Sequence, residues 1–306
     1  MTTTQPDNRT TIDRPEWLTG RAWPFRIRTA TIRGTSIAYT DEGKGPTVLL
    51  VHDGMCSYLW VHLIGRLCES FRVVSLDFPG SGLSPEGGSP PRLEADTAIL
   101  EAFVAHLGLT DLTLVAHDLG GGVGLGFATR HPDMISGLVL INTFAWPAAT
   151  PGLRGMLRVM GSRPMTAINS TTNLVARATS SRFGVGRHFD RDQKRAFTMM
   201  FRDKTTRRRL NALMASARSE SDYLSEIEGH LVGLATKPAL TIFGKRNDPF
   251  RFQERWRMHF PDVEQMVIPD GYHFPMCDDP DGVAERITRW HEDRVANPGD
   301  NEDERI

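Results

Sequence analysis

A carboxylate lies where a tight turn would carry an attacking group. The segment Leu112 to Arg130 contains an apolar run, a turn centred on Asp118 and a glycine-rich helical stretch. A strained strand-to-helix turn needs small residues two before and two after its central residue, and Ala116 and Gly120 supply them. At a helix N-terminus, backbone N–H groups and the helix dipole keep a carboxylate ionised. Asp118 is therefore predicted to attack carbon directly and leave an ester on the protein. A simpler hypothesis makes it only a helix cap.

Two further loops carry groups that would complete such a reaction. The stretch from Gly244 to Asp248 follows one apolar run, and Gly271-Tyr272-His273 follows the next. Ligands of open α/β sheets bind at the carboxyl ends of the strands, so Asp248 and His273 should converge on Asp118. Nucleophile, acid and base then occur in the chain order known for such triads. We expect His273 to act as the base and Asp248 to orient it.

Backbone donors are expected beside the nucleophile. The loop His52 to Met55 follows a buried strand, where N–H groups can face a developing negative charge. The residue directly after the nucleophile supplies another N–H. The predicted donors are Leu119, Asp53 and Gly54, and His52 and Met55 are candidates for the lining of a substrate pocket.

An alternation of short apolar runs with helix-length segments must position these loops. The runs are Val48 to Val51, Val73 to Leu76, Leu112 to Val115, Leu138 to Ile141, Ala239 to Phe243 and Glu264 to Ile268. Apolar strands separated by helices predict an α/β fold with a mostly parallel, doubly wound sheet. An antiparallel hairpin, Phe25 to Ala30 with Thr35 to Thr40, should open the sheet at its edge.

The alternation stops in the middle of the chain. Residues 148–234 are polar, rich in Arg and Met, and show helical rather than strand patterns, which predicts a helical cap inserted into the core. The core then comprises residues 22–147 and 235–296. Residues 1–21 and 297–306 are expected to be flexible ends.

The overall composition excludes several functional classes. The 306 residues include 36 basic and 37 acidic side chains, a balance that gives no general attraction for nucleic acid or an anionic membrane. Cys56, Cys68 and Cys277 lack metal-ligand spacing, and the N-terminal residues lack the apolar run of a signal peptide. We expect a cytoplasmic enzyme with a small-molecule substrate, no cofactor, no metal, no nucleic-acid partner and no membrane partner. The oligomeric state is left open.

Taken together, these motifs resemble those of the haloalkane dehalogenase and epoxide hydrolase branch of the α/β-hydrolases, and most closely the dehalogenases. The resemblance covers residues 14–293. It rests on Arg14 to Leu18, Tyr39 to Gly43, Ser57 to Trp60, Asp77 to Ser84, the Asp118 turn and Asn142 to Pro147. It implies an α/β-hydrolase fold and an alkyl-enzyme ester formed on Asp118 and hydrolysed with His273 and Asp248.

The groups that hold the leaving group distinguish the reactions of this branch. Dehalogenases hold the halide with a Trp directly after the nucleophile and often with an Asn, but here Leu119 and Gly54 occupy those places. Neither side chain can donate a hydrogen bond. Trp146 is a candidate replacement donor. Tyr223 is the candidate for the cap hydroxyl that epoxide hydrolases use.

Two alternatives to a dehalogenase follow from the missing halide donors. A strained lactone carries its own internal leaving group and would need less from the cap than a haloalkane or an epoxide. The other alternative, from a different functional class, is a non-catalytic protein of this fold that binds a small ligand. The retained nucleophile, base and acid favour an enzyme.

Overall fold

One sheet of nine strands organises the molecule. The computed structural model describes residues 10–52, 54–148 and 150–297. The strand order in the sheet is β1-β2-β3-β5-β4-β6-β7-β8-β9. The strands are β1 (Thr10–Ile12), β2 (Ile27–Ile32), β3 (Thr35–Glu42), β4 (Thr47–Val51), β5 (Arg72–Leu76), β6 (Leu112–His117), β7 (Ile135–Ile141), β8 (Ala239–Gly244) and β9 (Glu264–Ile268).

The sheet is parallel from β5 to β9 and antiparallel at the other end. Strand β4 pairs in parallel with β5 and β6, and β6, β7, β8 and β9 continue the parallel order. Every residue of β6 and β8 is buried, as expected for strands that have helices on both faces. The predicted α/β class and mostly parallel sheet are therefore confirmed.

The predicted hairpin is present, but it does not form the edge of the sheet. Arg33 and Gly34 connect β2 to β3 with φ angles of 48° and 80°, the left-handed conformations that a two-residue hairpin turn needs. Strand β1 lies outside the hairpin and pairs with β2. The prediction that residues 1–21 form a flexible end is thus wrong for Thr10–Ile12, because backbone pairing with β2 holds this segment in the sheet.

Helices cover the sheet and form the insertion between β7 and β8. They are α1 (Val61–Leu67), α2 (Leu93–Leu107), α3 (Gly120–Arg130), α4 (Pro151–Met160), α5 (Arg163–Thr172), α6 (Leu174–Thr179), α7 (Arg191–Met199), α8 (Lys204–Ser219), α9 (Ser221–His230), α10 (Phe252–His259), α11 (Pro275–Asp278) and α12 (Pro280–His291). In the described part of the insertion, helices α4 to α9 occur without a strand. We call these six helices the cap.

The cap is packed onto the core by apolar and charged contacts. Leu213 of α8 and Leu224 of α9 join the apolar cluster that includes Leu93 of α2. Arg209 of α8 forms an ion pair with Asp96 of α2, and both side chains are about 95% buried. A buried ion pair is costly to break, because removing one partner leaves an uncompensated charge. These contacts hold the cap over the ends of the parallel strands.

Candidate active site

The turn between β6 and α3 is the elbow that the sequence predicts. Asp118 has a φ of 46°, a left-handed conformation that is uncommon for any residue except glycine. Backbone from the neighbouring strand lies very close to this turn. A Cβ atom added at Gly120 would come within 2.5 Å of the Val51 carbonyl oxygen. Gly120 is therefore required by close approach, and the turn raises Asp118 at the carboxyl end of the sheet.

Replacing Gly120 with Ala should destabilise the elbow. The added methyl group would collide with backbone carbonyls of β4 and the following residue, which cannot rotate away. We expect the free energy of unfolding to fall by about 2 kcal/mol or more, as for other overpacked sites. Chemical denaturation measures this change. The matched control is Gly229→Ala in α9, where a Cβ would meet nothing within 4 Å; equal losses in both variants would contradict the explanation.

The structure brings His273 to Asp118. His273 follows β9, and its Nε2 lies 3.8 Å from Oδ2 of Asp118. The His273 side chain is 32% exposed and that of Asp118 is 15% exposed, so both can be reached from solvent. The separation is too long for a direct hydrogen bond. It suits a base that acts on a water molecule rather than on the nucleophile itself.

Two residues that the sequence reasoning did not single out hold the His273 loop. Asn142, just after β7, donates from Nδ2 to the carbonyl oxygens of Tyr272 and His273 at 2.8 and 2.9 Å. Its Oδ1 accepts a hydrogen bond from the Gly244 N–H. Asp278 accepts from the Tyr272 N–H at 2.6 Å. The available signal for Asn142 was its place directly after a buried strand, next to the predicted site.

The environment of Asp118 favours its ionised form. Burial raises the pKa of Asp118, but two histidines and a backbone donor act in the opposite direction. The charge of His273 is the largest of these opposing effects, followed by His117 and by the Leu119 N–H. The net result is a pKa below the ordinary value for Asp. The carboxylate is thus an anion at neutral pH.

His117, next to Asp118, is a neutral side chain that supports the His273 loop. Burial, together with the nearby charge of His273, lowers the pKa of His117 to about 3. Its Nε2 lies 2.8 Å from the His273 carbonyl oxygen. Because a carbonyl only accepts, His117 must carry its proton on Nε2 and donate it. This bond fixes the backbone of the catalytic loop.

Asn247, rather than the predicted Asp248, contacts the distal nitrogen of His273. Nδ2 of the Asn247 side-chain amide lies 3.1 Å from Nδ1 of His273. The Asp248 carboxylate instead accepts hydrogen bonds from the N–H groups of Phe252 and Gln253, at 2.7 and 3.2 Å. These are the first two residues of α10, whose N–H groups have no partner within the helix. The structure therefore gives Asp248 the geometry of a helix cap, in contrast to the predicted contact with His273.

The capping contact predicts the effect of Asp248→Ala on stability. Loss of a side chain that satisfies helix N-terminal donors should lower the free energy of unfolding by about 1 kcal/mol. Thermal or urea denaturation measures this loss. Asp262→Ala is the control, because Asp262 is exposed and makes no hydrogen bond or salt bridge within the described residues. If the two variants were equally stable, the capping role would be wrong.

The predicted backbone donors have different surroundings. The Leu119 N–H interacts with the Asp118 carboxylate. The Gly54 N–H donates to Nδ1 of His52 at 3.1 Å, so this donor has a local partner instead of facing the site. Asp53 lies outside the described residues. Of the three predicted donors, Leu119 is the one for which the structure shows a contact with the nucleophile.

Comparison with known proteins identifies the family. The model of the alpha/beta hydrolase fold family matches residues 46–280, most of the chain. The chain belongs to this family. The match spans the elbow, the cap and the His273 loop, and it confirms the predicted fold.

Similar curated proteins indicate the branch of the family to which this hydrolase belongs. Haloalkane dehalogenase 2 of Mycobacterium tuberculosis is 30% identical over 278 residues, covering 87% of this chain and 94% of that protein. A cis-3-alkyl-4-alkyloxetan-2-one decarboxylase of Xanthomonas campestris is 28% identical over 266 residues, covering 80% of this chain and 88% of that protein. The predicted membership of the haloalkane dehalogenase and epoxide hydrolase branch is confirmed, as is the prediction of a hydrolase enzyme.

Solved structures agree on the fold. Haloalkane dehalogenase DbeA from Bradyrhizobium elkani superimposes with a TM-score of 0.76 at 19% identity, covering 86% of this chain and 96% of that one. Epoxide hydrolase CorEH gives a TM-score of 0.75 at 20% identity, covering 87% of this chain and 98% of that one. At these identities the likeness concerns the fold alone.

The residues predicted to line the hydrolase's pocket are placed mainly in structural roles. Trp146 is 1% exposed and packs against Trp256 of α10, with the Arg255 guanidinium 4.5 Å from the centre of its ring. The Tyr223 hydroxyl lies 2.6 Å from the Thr97 hydroxyl. Both rings are thus packed by their neighbours, and Trp146 as a leaving-group donor and Tyr223 as a ring-opening acid stay predictions.

The other two predicted pocket residues are also buried. His52 is 1% exposed, and burial, reinforced by Arg209 and His117, lowers its pKa to about 3. Its Nδ1 accepts from Gly54, which gives this neutral histidine a role in the loop rather than in the substrate pocket. Met55 is 3% exposed within an apolar cluster.

Neither a metal-binding cluster nor a membrane-spanning helix occurs in the described ranges. Within residues 10–52, 54–148 and 150–297, no group of three His, Cys, Asp or Glu side chains is arranged to hold a metal ion. None of the helices in these ranges combines the length and apolar character that a membrane span requires. Cys56, Cys68 and Cys277 form no disulfide with one another.

Proposed function

We propose that the protein is a hydrolase that forms a covalent ester between Asp118 and a small, largely apolar substrate. His273 would then activate the water that hydrolyses this ester. The observation that carries the proposal is the ionised Asp118 carboxylate at the start of α3, with Nε2 of His273 at 3.8 Å. The curated relatives support this haloalkane dehalogenase-like reaction.

In the first step, a carboxylate oxygen of Asp118 attacks a substrate carbon. The new carbon–oxygen bond forms the ester, and the bond from that carbon to the leaving group breaks with its electron pair on the leaving group. No proton has to be removed from Asp118, because the carboxylate is already an anion. The backbone strain at Asp118 keeps the attacking oxygen accessible at the top of the sheet.

In the second step, His273 acts as general base. Its Nε2 removes a proton from water, and the resulting hydroxide attacks the ester carbonyl of Asp118. Breaking the bond between the carbonyl carbon and the substrate oxygen frees the alcohol, which takes the proton back from His273. The other proton of the water, left on the Asp118 carboxyl group, passes to solvent, and this regenerates the carboxylate. Nε2 must be unprotonated at the start, so Nδ1 must carry the proton and donate it. In the structure Nδ2 of Asn247 faces Nδ1, so Asn247 accepts this proton through Oδ1 after its side-chain amide turns by half a rotation.

The leaving group distinguishes the substrate classes. Leu119 is buried and apolar, so its side chain gives a departing halide no hydrogen bond, and the predicted replacement Trp146 is held in the core. A strained lactone avoids this need, because its carboxylate leaving group stays attached to the substrate and carries its own delocalised charge. The similarity to an oxetan-2-one decarboxylase also favours a four-membered lactone.

Dehalogenation is the second candidate reaction. The observation that favours it is the 30% identity with a haloalkane dehalogenase over nearly the whole chain. The Leu119 N–H could stabilise a small anion beside the nucleophile, because one backbone donor there already faces the carboxylate. The test measures kcat/KM for a bromoalkane, a dialkyl oxetan-2-one and an epoxide of matched chain length. The three values would rank the substrate classes.

A single-turnover experiment in water enriched in oxygen-18 tests the ester mechanism. With enzyme in excess over substrate, the first product should contain ordinary oxygen from Asp118, and the peptide bearing Asp118 should gain the label. Direct attack by water would instead label the product and leave the peptide unlabelled. Asp118→Asn is the control and should give neither turnover nor labelling at early times. The proposal would be refuted if the product of the first turnover carried the label and the Asp118 peptide did not.

A further inference from the structure

The cap contains a long segment of one charge sign. From Pro151 to Phe189, through α4, α5 and α6, the sequence has six arginines and neither Asp nor Glu. The whole chain, in contrast, balances 36 basic against 37 acidic residues. The overall balance, which argues against an anionic partner, therefore hides a strongly basic segment.

Large apolar side chains are exposed in the same segment. Val159 and Phe183 are each 57% exposed, and Met156, Ile168 and Leu174 are also exposed. Exposed arginines lie between and beside them along the chain. We call this surface the basic face; it comprises Arg154, Met156, Arg158, Val159, Arg163, Ile168, Leu174, Arg177, Arg182 and Phe183.

The charges of the basic face are largely uncompensated. Arg158, Arg163 and Arg177 form no salt bridge with any carboxylate in the part of the chain that the structure describes. The Arg182 guanidinium lies 4.8 Å from the centre of the Phe183 ring instead. Exposed apolar groups beside free cations are unusual on a surface that contacts only water, where apolar patches are kept small.

The helices below the basic face are firmly attached, so their outer sides present a fixed surface. Leu153 and Leu157 point into the apolar core from α4. At the turn between α4 and α5, a Cβ on Gly161 would come within 2.7 Å of Ala215 backbone in α8. Asn211 of α8 donates to the Met160 carbonyl oxygen, which ties α4 to the rest of the cap.

We propose that the basic face docks on the surface of an anionic lipid bilayer. Arginines attract anionic head groups, and single apolar side chains between them can enter the boundary between head groups and acyl chains. The long arginine side chains can lie along apolar surface while their charged ends stay with the phosphates. A protein partner would have to place a fixed carboxylate at each arginine, whereas anionic head groups surround all of them.

The basic face reaches the neighbourhood of the catalytic base. Phe183 packs edge-on against Tyr272 with ring centres 5.7 Å apart, and Tyr272 directly precedes His273. If the proposed function is right, an apolar substrate dissolved in the bilayer would meet the protein beside its active site. Bilayer binding itself rests on the basic face alone, so its failure and the failure of the proposed reaction are separate results.

Vesicle sedimentation tests the proposal. The full chain should sediment with vesicles of equal parts phosphatidylglycerol and phosphatidylcholine, and not with phosphatidylcholine alone. Raising the salt concentration should release it, because screening weakens attraction to the charged surface. The double variant Arg158→Glu with Arg163→Glu should bind at least about tenfold more weakly, and Val159→Ser with Phe183→Ser should also weaken binding.

A matched control surface lies on the core. Arg257 and Met258 of α10 are an exposed cation and an exposed apolar residue outside the cap, and Met258 is 74% exposed. Arg257→Glu with Met258→Ser should leave vesicle binding unchanged, and thermal melting checks that each variant is folded. The proposal would be overturned if the protein did not bind anionic vesicles, or if it bound neutral vesicles equally well. It would also be overturned if the control variant lost as much vesicle binding as the variants of the basic face. Binding to an acidic protein without binding to vesicles would overturn it too.

Discussion

The His273→Phe variant should accumulate a stable ester on Asp118 in place of catalytic turnover. Phe cannot accept a proton from water, while the ionised carboxylate can still attack the substrate. Loss of a general base that acts only in the second step should lower turnover by about a thousandfold. Intact-protein mass spectrometry should show one adduct per chain, and fragmentation should locate it on the Asp118 peptide. The mass of the adduct would identify the substrate class.

Two variants make this experiment decisive. Asp118→Asn combined with His273→Phe should show no adduct, because the attacking carboxylate is gone. His230→Phe should behave like the native protein, since His230 lies on α9 and bonds to a carbonyl of its own helix. An adduct on another residue, or full turnover by His273→Phe, would show that the proposed roles of Asp118 and His273 are wrong. If the native protein converted no substrate of any class, the non-catalytic binding hypothesis would be favoured.

The sheet and the elbow could be predicted because their signals are local. Buried parallel strands require continuous apolar runs, and the runs around Val48, Leu112 and Ala239 each became a strand. The elbow required small residues at two fixed positions, and the close approach of Val51 to Gly120 explains this requirement. Such constraints involve few neighbours along the chain, so the pattern alone carries them.

The pocket residues could not be predicted because they depend on long-range packing. Tyr223 seemed available as a cap hydroxyl, but Thr97, 126 positions earlier in the chain, lies against it. Trp146 seemed to line the entrance to the cap, but α10 provides three aromatic ring contacts for it. A buried hydroxyl or a large ring goes where partners and apolar surface are available, and these come from distant segments.

The capping contacts of Asp248 have a physical reason, while its role as the orienting acid stays a prediction. Asp248 offers a carboxylate, and the nearest strong demand for one comes from the unpaired N–H groups at the start of α10. The preceding side chain, Asn247, is then the one directed at Nδ1. Residue type alone favoured the acid, whereas the direction of each side chain is set by the backbone of the turn.

Asn247→Asp should accelerate hydrolysis of the ester by about tenfold. A carboxylate at this place would accept the Nδ1 proton and stabilise the imidazolium that forms when Nε2 takes a proton from water. A hydrogen bond to a charged group is worth about 1 to 2 kcal/mol more than one between neutral groups, which corresponds to roughly tenfold in rate. Stopped-flow measurement of the second step, with preformed ester, separates this effect from ester formation. Asn247→Ala should slow the same step.

Asp248→Asn separates the two assignments of the orienting group. If Asn247 orients His273, this variant should keep the rate of ester hydrolysis within about twofold and lose only stability, because an amide can still cap α10 in part. If Asp248 is the orienting acid, the same variant should lose most of its turnover while it remains folded, and Asn247→Asp should give no gain. The rates of ester hydrolysis in Asn247→Asp and Asp248→Asn thus show together whether the partner of His273 is neutral or acidic. A neutral partner would make ester hydrolysis the slow step, since an amide orients the imidazole without offsetting its positive charge.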